Sequence, residues 1–589
     1  MRYKNWIMIL VFGGTTEGRK AVEVLEEGGA ESGTYYYSTK TGEQDITIQH
    51  GLRIDGVMDE EAMRSFCEEK GIRLIVDAAH PFASLLHKTI ARVAQGLNIP
   101  VVRYERIYPP RTADITWIDD YNQIPHNLRS LLATTGVQSI ARLKPLEAEG
   151  IKVFYRILNR KSSIALAIKQ GATPDQLCFY DDPKSIPVEA DAILLKESGT
   201  TGGFQEKIAA AKACGMRIIA LKRPEMPSTF LTVDGPYGLR RMVERLLPAF
   251  FPLHSGLTTG TCATAAAIAA TTRLLTGEEP AEVSVVLPNG EHITVPVGFA
   301  DGYAYCIKEA GDDPDVTNGL EIRAKVEPSD CFEILGGEGV GVFTLSGFDY
   351  PPGSPAINKG PREMMRSNIR ENVQITIAVP QGIEIAKRTF NPRLGIEGGI
   401  SIIGVSGIVK PFSEEAFIDS IRKCMTVAKA SGSHRVVINS GGKSERFVKA
   451  LYPQLPRQAF VEYGNYIGET LRIASELQIQ EVTLGVMLGK AVKLAAGHLD
   501  THSRKTTMNL DFIGQMLNEA GVSIDLSGIT LARELWERIP QDRLDGFAQT
   551  VIAHCAEHCR PLLPDGTLTI LLIDDEGHIY PTPTMNYEL

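Results

Sequence analysis

The chain has 589 residues, of which 22% are charged and 43% hydrophobic, and its formal net charge is −10. These values exclude wholesale disorder and predict about four domains, at roughly 150 residues per domain. The acidic excess is dispersed, which argues against nucleic acid as a partner, because phosphate binding needs concentrated positive charge. The nine cysteines are irregularly spaced, which indicates reduced thiols in the cytoplasm.

The first apolar run covers residues 6–12 and ends at Gly13-Gly14. It is too short to span a membrane and has no small-residue cleavage site after it, so it predicts a buried strand. We therefore expect a soluble cytoplasmic protein with no membrane partner.

Strands and helices alternate through the first 250 residues, which predicts doubly wound parallel sheets in two Rossmann-like units, at about 1–114 and 115–250. The first unit has strands at 74–77 and 101–104 and helices at 17–27, 59–70 and 83–97. The second has strands at 192–196 and 217–221 and a helix at 204–213.

The character of the sequence changes near residues 250–255, where we place the main boundary. An alanine-rich helix is predicted at 263–275, and strands at 283–287 and 292–297 are joined by the hairpin signal Pro288-Asn289-Gly290. From Ser413 the α/β alternation returns, with a helix at 414–431 and strands at 436–438 and 481–486. We expect an α+β domain at about 255–410 and a further α/β domain at 411–589. The motifs of each half are self-contained, so each half is expected to fold alone.

A glycine-rich turn follows the first strand, where a helix N-terminus can bind a diphosphate. Its candidate contacts are Gly13, Gly14, Thr15, Thr16, Gly18 and Arg19. The alternative is a tight turn without a ligand. After the second strand, Ser38 and Lys40 stand where an NAD enzyme has an acidic residue, which favours the 2′-phosphate of NADPH.

Two further loops follow predicted strands of this half. His80 is a candidate hydrogen-bond or proton donor, and its alternative role is a helix cap. Ser198 and Gly199 are candidates for closing over the cofactor, and a plain glycine loop is the alternative.

The motifs GGTTEGR, DAAHPFA, IPVVRYER, LLKESGTTGG and LKRP occur in this order over residues 7–248, and this segment resembles the precorrin-6A reductase family. The resemblance implies two Rossmann-like units that hold NADPH and a tetrapyrrole in the cleft between them. It also implies hydride reduction of one ring double bond. Glu197 departs from the amide found in some relatives.

The second half has two conspicuous segments near its start. Thr261 belongs to a hydroxyl-rich helix start that could bind an anion. The alternative is a capped helix start without a ligand. Asp313 belongs to a turn with three aspartates that could bind a cation. The alternative is an ordinary turn, in which aspartate and proline are common.

Six ordered blocks from Ser255 onward resemble the cobalt-precorrin-5B C(1)-methyltransferase family: TTGTCATAAA, KEAGDDPDVTNG, GGEGVGVFTLSG, LGIEGGISIIGVSGIV, EYGNYIGE and GKAVKLAAGHLDTHSR. The resemblance implies S-adenosylmethionine as methyl donor, without the glycine-rich motif of Rossmann methyltransferases.

Within these blocks, the candidates for approach to the methyl donor are Gly398, Gly399, Gly464, Asn465 and Gly468. His498, His502 and Arg504 are candidates for contacting tetrapyrrole carboxylates, and the histidine spacing places both on one helical face if the helix continues. A polar helix end is the alternative.

His554, Cys555, His558 and Cys559 have the i, i+4 spacing of metal ligands, but no second ligand pair is evident nearby. We expect no resident metal, with cobalt present only inside the substrate.

Taken together, the two family resemblances imply a bifunctional enzyme of cobalamin biosynthesis. It would methylate cobalt-precorrin-5B to cobalt-precorrin-6A and reduce the latter to cobalt-precorrin-6B. Three alternatives stay open: the same chemistry on metal-free precorrins, a dinucleotide-sensing scaffold, and a kinase suggested by the glycines at 336–339, which lacks magnesium ligands. The oligomeric state is open.

Overall fold

The computed structural model describes residues 8–29, 34–40, 44–180, 182, 185–503 and 505–580. They form two compact units. Unit 1 contains the chain up to Ser255 together with Val286–Thr294, and unit 2 contains Gly256–Val285 and the chain from Val295. Within these ranges, no helix is long and apolar enough to cross a bilayer.

Unit 1 consists of strands and helices in alternation. Its strands are β1 (Met8–Phe12), β2 (Thr34–Thr39), β3 (Leu52–Asp55), β4 (Ile72–Asp77), β5 (Val101–Tyr104), β6 (Thr116–Ile118), β7 (Ser130–Ala133), β8 (Lys152–Ile157), β9 (Leu177–Phe179), β10 (Ala192–Lys196), β11 (Arg217–Leu221) and β12 (Leu231–Val233). Its helices are α1 (Thr16–Glu26), α2 (Glu60–Lys70), α3 (Ser84–Leu97), α4 (Ile140–Ala148), α5 (Lys161–Lys169), α6 (Phe204–Ala213) and α7 (Pro236–Leu246).

The strands of unit 1 form two parallel six-stranded sheets. The first has the order β12-β5-β4-β1-β2-β3 and the second β6-β11-β10-β7-β8-β9. Central strands such as β1 and β10 are buried on both faces, as expected for parallel sheets covered by helices. The predicted Rossmann-like units are confirmed. Residues 6 and 7 of the predicted first strand lie outside the described residues.

The last strand and helix of unit 1 do not follow the predicted subdomain boundary. β12 pairs with β5 of the first sheet, with Leu231 opposite Val102, and α7 packs its Leu239 and Val243 into that sheet's core. The expected second unit at 115–250 is therefore wrong for its final segment. Strand pairing across more than 100 residues of sequence leaves no local signal.

Unit 2 has more varied elements. Its strands, with the first hairpin included, are β13 (Gly256–Leu257), β14 (Glu282–Val286), β15 (His292–Pro296), β16 (Gly298–Ala300), β17 (Tyr303–Ile307), β18 (Glu321–Pro328), β19 (Glu333–Gly336), β20 (Val342–Phe343), β21 (Val373–Ala378), β22 (Ile396–Glu397), β23 (Ile408–Val409), β24 (Arg435–Asn439), β25 (Phe460–Glu462), β26 (Glu481–Met487), β27 (Thr567–Ile573) and β28 (Ile579–Tyr580). Its helices are α8 (Thr259–Thr276), α9 (Lys359–Asn368), α10 (Gly382–Ala386), α11 (Asn391–Leu394), α12 (Glu414–Ala430), α13 (Gly442–Leu451), α14 (Ile467–Glu476), α15 (Leu488–Ala495), α16 (Leu510–Glu519), α17 (Leu535–Arg538) and α18 (Leu544–Cys559).

The first part of unit 2 is α+β, as predicted. A five-stranded mixed sheet, β16-β17-β18-β21-β19, packs against α8, whose alanines are buried. Small side chains let this helix approach the strands closely, so its composition reflects packing. Thr258 caps the helix through a hydrogen bond from Thr261 N to its hydroxyl.

The second part of unit 2 is an α/β sheet of order β25-β24-β26-β27-β28, parallel except for β28 at the edge. This arrangement, 2-1-3-4 in the order of its parallel strands, is that of flavodoxin-like sheets. Its core contains Ile438, Leu484 and Leu572, each buried.

The tip of the β14–β15 hairpin, Val286–Thr294, packs in unit 1 although it follows the main sequence boundary. Gly290 has φ of 86°, as the predicted turn requires. Glu291 is 1% exposed and its carboxylate accepts hydrogen bonds from Tyr237 N and Gly238 N at 3.1–3.3 Å. By its contacts this hairpin tip therefore belongs to unit 1, whereas the predicted boundary near residues 250–255 places it in the second half.

Candidate active sites

The glycine turn follows β1, which lies beside the parallel strand β4 in the first sheet. From these two neighbours the chain leads to opposite sides of the sheet, from β1 to β2 and from β4 to β5. Ligands of parallel sheets bind outside such strand ends. Gly14 has φ of 87°, and a side chain built on it would meet no atom within 4 Å. Thr15 accepts a hydrogen bond from Gly18 N at 3.0 Å and donates one to the Ala78 carbonyl at 2.7 Å. The turn is thus fixed, and at Gly14 it borders open space.

Gly13 and Gly18, the other two glycines of the turn, leave room for the side chain of Tyr37. A Cβ on Gly13 would overlap the ring of Tyr37, and one on Gly18 would lie 2.7 Å from the Tyr37 hydroxyl. That hydroxyl also accepts a hydrogen bond from Gly14 N at 3.0 Å. Thr16 is the first residue of α1, and Arg19 is exposed on it. Tyr37 was not predicted, because nothing in the sequence relates β2 to the turn.

The end of β2 is more complex than the sequence indicates. Ser38 is buried and Lys40 is exposed just beyond the strand. Between them, Thr39 donates a hydrogen bond to Asp55 at 2.7 Å, and Asp55 pairs with Arg53 at 3.2 Å. An acidic side chain from β3 therefore stands beside the predicted phosphate contacts.

The loop that carries His80 is held by buried ionic groups. His87 contacts Asp77 at 2.6 Å, and the fully buried Arg103 donates to the Ala79 carbonyl at 2.8 Å and to Asp77 at 3.2 Å. His80 Nδ1 accepts a hydrogen bond from the Phe82 amide at 3.2 Å. Burial, together with the charge of Arg106, lowers the pKa of His80 to about 3. His80 is therefore neutral and has its proton on Nε2.

Arg106 joins the loops of the two sheets. It pairs with Glu17 of α1 at 3.0 Å and donates to the Ser198 carbonyl after β10 at 2.7 Å. Thr201 also donates to Glu17. Gly199 has φ of 71°, and a Cβ there would lie 2.9 Å from the Arg106 side chain. The predicted Ser198 and Gly199 thus position Arg106, which was not singled out although it lies in a motif block.

A cavity of about 300 Å³ lies between these loops. Its lining consists of His80, Arg106, Thr134, Thr135, Gly136, Lys196, Ser198, Gly202 and Lys207. It combines loops from the carboxyl ends of both sheets of unit 1, which makes it the candidate site of this unit.

Glu197 lies behind the cavity and has a structural role. It is 1% exposed, contacts Arg111 at 2.8 and 3.0 Å, and contacts Arg223 at 2.7 Å. Burial raises the pKa of Glu197, but the hydrogen bonds and charges of the two arginines outweigh burial and hold it below its ordinary value. The carboxylate is needed to pair both arginines, which an amide would do poorly.

In unit 2, the corresponding position is the crevice between β24 and β26, where the helices that follow these strands have Gly442 as the first residue of α13 and Gly489 as the second residue of α15. Side chains built on either glycine would meet no atom within 4 Å. Lys490, at the start of α15, donates to the Gly464 carbonyl, and burial lowers its pKa to about 8. Burial also raises the pKa of Glu462, which ends β25. Accessible backbone and buried ionisable groups thus lie together at the carboxyl ends of these strands.

The glycines predicted to approach the methyl donor differ in how closely they are packed. A Cβ on Gly399 would overlap the Gly339 carbonyl, and one on Gly468 would lie 2.8 Å from Leu499, so packing explains both. Gly464 has φ of 57° and packs beside Phe417. Gly398 borders open space.

Asn465 anchors the following loop. Its carbonyl accepts a hydrogen bond from Thr501 N at 3.0 Å. The loop that contains His498 and His502 is therefore fixed near Asn465.

Two of the predicted catalytic residues of unit 2 are engaged elsewhere. Thr261 is fully buried and donates to the Gly407 carbonyl at 2.6 Å, so it is inaccessible to a substrate. Asp313 accepts a hydrogen bond from Phe412 N at 3.0 Å, and Asp315 pairs with Lys308 at 2.7 Å. These contacts hold the aspartate turn in place.

The two predicted histidines do not share a helical face. α15 ends at Ala495, before His498, which is exposed, while His502 is half-buried in the loop that follows. The shared face depended on the helix continuing, and Gly497, with φ of 89°, favours its termination. Arg504 lies outside the described residues.

The His/Cys cluster near the C-terminus lies on α18. Cys555 donates to the Ala491 carbonyl at 3.3 Å and Cys559 is buried, and burial raises the pKa of both thiols. His554 contacts Glu519 at 2.7 Å. Over the described ranges, no group of three or more His, Cys, Asp or Glu side chains is arranged to hold a metal ion.

Unit 1 is thus a double Rossmann-like protein with a basic cavity at its strand ends, and unit 2 joins an α+β part to a flavodoxin-like sheet. The family models that match are Precorrin-6x reductase CbiJ/CobK at residues 8–237, CbiD at 249–411 and CbiD, C-terminal domain at 500–582. The chain belongs to the cobalt-precorrin-5B C(1)-methyltransferase (CbiD) family, fused behind a CbiJ/CobK reductase region. Both predicted family resemblances are confirmed.

Curated relatives support the assignment of the second half. The chain is 41% identical over 345 residues to the cobalt-precorrin-5B C(1)-methyltransferase of Prosthecochloris aestuarii, covering 54% of this chain and 94% of the relative. It is 40% identical to that of Thermus thermophilus, covering 55% and 92%.

Solved structures with similarity include a cobalamin biosynthesis protein (cbiD) of Archaeoglobus fulgidus, at 29% identity and TM-score 0.25, covering 46% of this chain and 85% of that one. CobK precorrin-6A reductase has 16% identity and TM-score 0.33, covering 41% and 97%.

Proposed function

We propose that the chain is a bifunctional enzyme that catalyses two consecutive steps on one macrocycle. Unit 2 transfers a methyl group from S-adenosylmethionine to C-1 of cobalt-precorrin-5B, giving cobalt-precorrin-6A. Unit 1 reduces that product with NADPH to cobalt-precorrin-6B. The families of the two halves support this order, since the reductase acts on what the methyltransferase makes.

The observation that supports the reductase assignment is the cavity lined by His80 and Arg106, since Arg106 pairs with Glu17 in the first turn of α1, directly after the glycine turn. The turn fits a dinucleotide, because Gly14 leaves its backbone open to a diphosphate and α1 directs its N-terminus there. Lys40 is the exposed cation available to the 2′-phosphate. When bound, NADPH supplies the hydride.

The residues of the cavity position the macrocycle and control protons. His80 is neutral, so it acts as a hydrogen-bond donor through Nε2 and is not an imidazolium acid. The Glu17–Arg106 pair fixes the loops on both sides of the cavity and so sets its width. Such fixed geometry favours transfer by holding the reacting groups together.

For the methyltransferase, we place S-adenosylmethionine in the crevice between β24 and β26. Gly442 and Gly489 leave open backbone there, and Glu462 and Lys490 offer groups of both charges to an amino-acid end. When bound, the cosubstrate supplies the methyl group. The protein aligns it with the ring carbon and excludes water, which methyl transfer requires more than a strong base.

The deciding experiment is mass spectrometry of the product made from cobalt-precorrin-5B by the purified full-length protein. With S-adenosylmethionine alone, the product should gain one methyl group. With NADPH added, it should gain two further hydrogens. NADPH binding without turnover would instead support a sensor, and equal rates with metal-free precorrin would remove the requirement for cobalt.

A further inference from the structure

The basic cavity of unit 1 lies at a second topological switch point, that of the second sheet. Strands β7 and β10 are neighbours there, with Ala192 opposite Leu131, and their connections run in opposite directions along the sheet. Residues 134–136 follow β7, and Ser198 follows β10. In parallel sheets this is the position of a ligand, and it is distinct from the glycine turn of the first sheet.

The charges at this position are not balanced. Lys196 and Lys207 both line the cavity, and in the part of the chain that the structure describes neither ammonium has a carboxylate within 4 Å. Lys207 donates to the Gly202 carbonyl at 3.0 Å, while Lys196 lies over the Phe82 ring at 5.1 Å. The third cation, Arg106, is neutralised by Glu17. Over the described residues, two positive charges therefore face the cavity without an ion pair, and the opposing influence on the pKa of Lys207 is the charge of Glu206.

Burial lowers the pKa of both lysines, because a charged ammonium group is less stable away from water. An anion between them would remove that cost, since buried charges are stabilised when they are paired and hydrogen-bonded.

The turn after β7 has the conformation that an anion needs. Gly136 has φ of 86°, and a side chain built on it would meet no atom within 4 Å. Thr134 and Thr135 are already engaged, with the Leu194 carbonyl at 3.0 Å and the Ser139 hydroxyl at 2.6 Å, so the turn is rigid. Backbone can therefore approach a ligand at Gly136 without rearrangement.

We propose that this cavity binds a carboxylate side chain of the tetrapyrrole substrate between Lys196 and Lys207, against the turn at residues 134–136. The proposal rests on the reductase function proposed above. The competing source of the same anionic chemistry is a phosphate of the cofactor. We favour the substrate, because the glycine turn after β1 already provides the diphosphate position.

The test uses the full-length variants Lys196→Met and Lys207→Met, with Lys212→Met as the matched control. Lys212 lies on the same helix as Lys207 but is exposed and pairs with Asp114 at 2.5 Å. We expect KM for cobalt-precorrin-6A to rise about tenfold in each cavity variant, with the Kd for NADPH unchanged. A raised Kd for NADPH with unchanged KM would overturn the proposal in favour of a cofactor phosphate.

A second measurement is independent of turnover. Calorimetric titration with citrate, a small polycarboxylate, should give binding to the wild-type protein and to the control that is lost in both cavity variants. Lys207→Arg, which keeps the charge, should retain it. Equal citrate binding in all variants would refute the proposal, whereas absence of NADPH oxidation in the wild type would refute only the reductase function.

Discussion

At the scale of single residues, Gly14 has a backbone conformation that favours glycine and lies where we expect the cofactor to approach the backbone. Its φ of 87° is unfavourable for any side chain, and a β-branched one would also occupy the open space beside the turn. We expect Gly14→Val to weaken NADPH binding at least about tenfold, or about 1.4 kcal/mol. Fluorescence titration with NADPH measures this, and methyl transfer should be unaffected.

The matched control for this variant is Gly71→Val. Gly71 ends α2 with φ of 63° and also borders open space, so it imposes comparable strain away from the turn. If both variants bind NADPH equally well, the turn does not hold the cofactor.

Lys40 decides the preference between the two nicotinamide cofactors, in our interpretation. We expect kcat/KM for NADPH to exceed that for NADH by at least about tenfold. Lys40→Glu should remove most of this preference by repelling the 2′-phosphate. Lys88→Glu makes the same charge change on an exposed face of α3 and should leave the preference intact. A preference that survives in Lys40→Glu would contradict the assignment.

We expect Lys207 to make the reductase activity depend on pH, with a sign that follows from its pKa. Burial first, then the charges of Arg156 and Arg106, lower its pKa to about 8, against which Glu206 acts in the opposite direction. The ammonium that attracts a carboxylate is therefore lost as pH rises through about 8. KM for cobalt-precorrin-6A should rise over this range, and Lys207→Arg should abolish the rise. A flat profile in the wild type would exclude Lys207 from substrate binding.

At the scale of elements, Glu197 fixes two separate connections of unit 1. Arg111 lies between β5 and β6, and Arg223 lies between β11 and β12, so one buried carboxylate holds both. Glu197→Gln should lower the free energy of unfolding by about 2 kcal/mol, since charge-assisted hydrogen bonds are lost. Urea unfolding measures this. The control Asp119→Asn removes an exposed partner of Lys222 and should change stability little.

The sequence predicted elements well where local signals determine them. The helix Glu60–Lys70 has its cap at Asp59 and its stop at Gly71, and the strand Ala192–Lys196 consists of four apolar residues and a final lysine. It could not predict the return of β12 to the first sheet or the partnership of Glu17 with Arg106, because these contacts join distant segments. The shared helical face of His498 and His502 is absent for another reason: the i, i+4 spacing places two side chains on one face only inside a helix, and α15 ends at Ala495.

At the scale of the whole chain, the hairpin Val286–Thr294 affects how the halves can be separated. A fragment ending at Ser255 would leave the amides of Tyr237 and Gly238 without Glu291. We expect this fragment to unfold at lower temperature than unit 1 in the intact chain. Glu291→Ala in the full-length protein should reproduce part of the loss, about 1 kcal/mol, as for a removed helix cap.

The control for this variant is Glu282→Ala, at an exposed position of the same hairpin. Calorimetric scans of both variants and of the fragment test the expectation. A fragment as stable as the intact unit would show that the hairpin contributes nothing.

The return of β12 to the first sheet also has a mechanical consequence. The chain passes from one sheet to the other twice, after β5 and before β12, and Glu197 holds the two passages side by side. Two sheets joined by two connections that one carboxylate holds together cannot swivel about a single linker. We therefore expect any relative motion of the two sheets to open and close the cleft between them. On the proposed reductase function, the tetrapyrrole substrate would enter along the open edge of that cleft and meet the same two faces in each catalytic cycle.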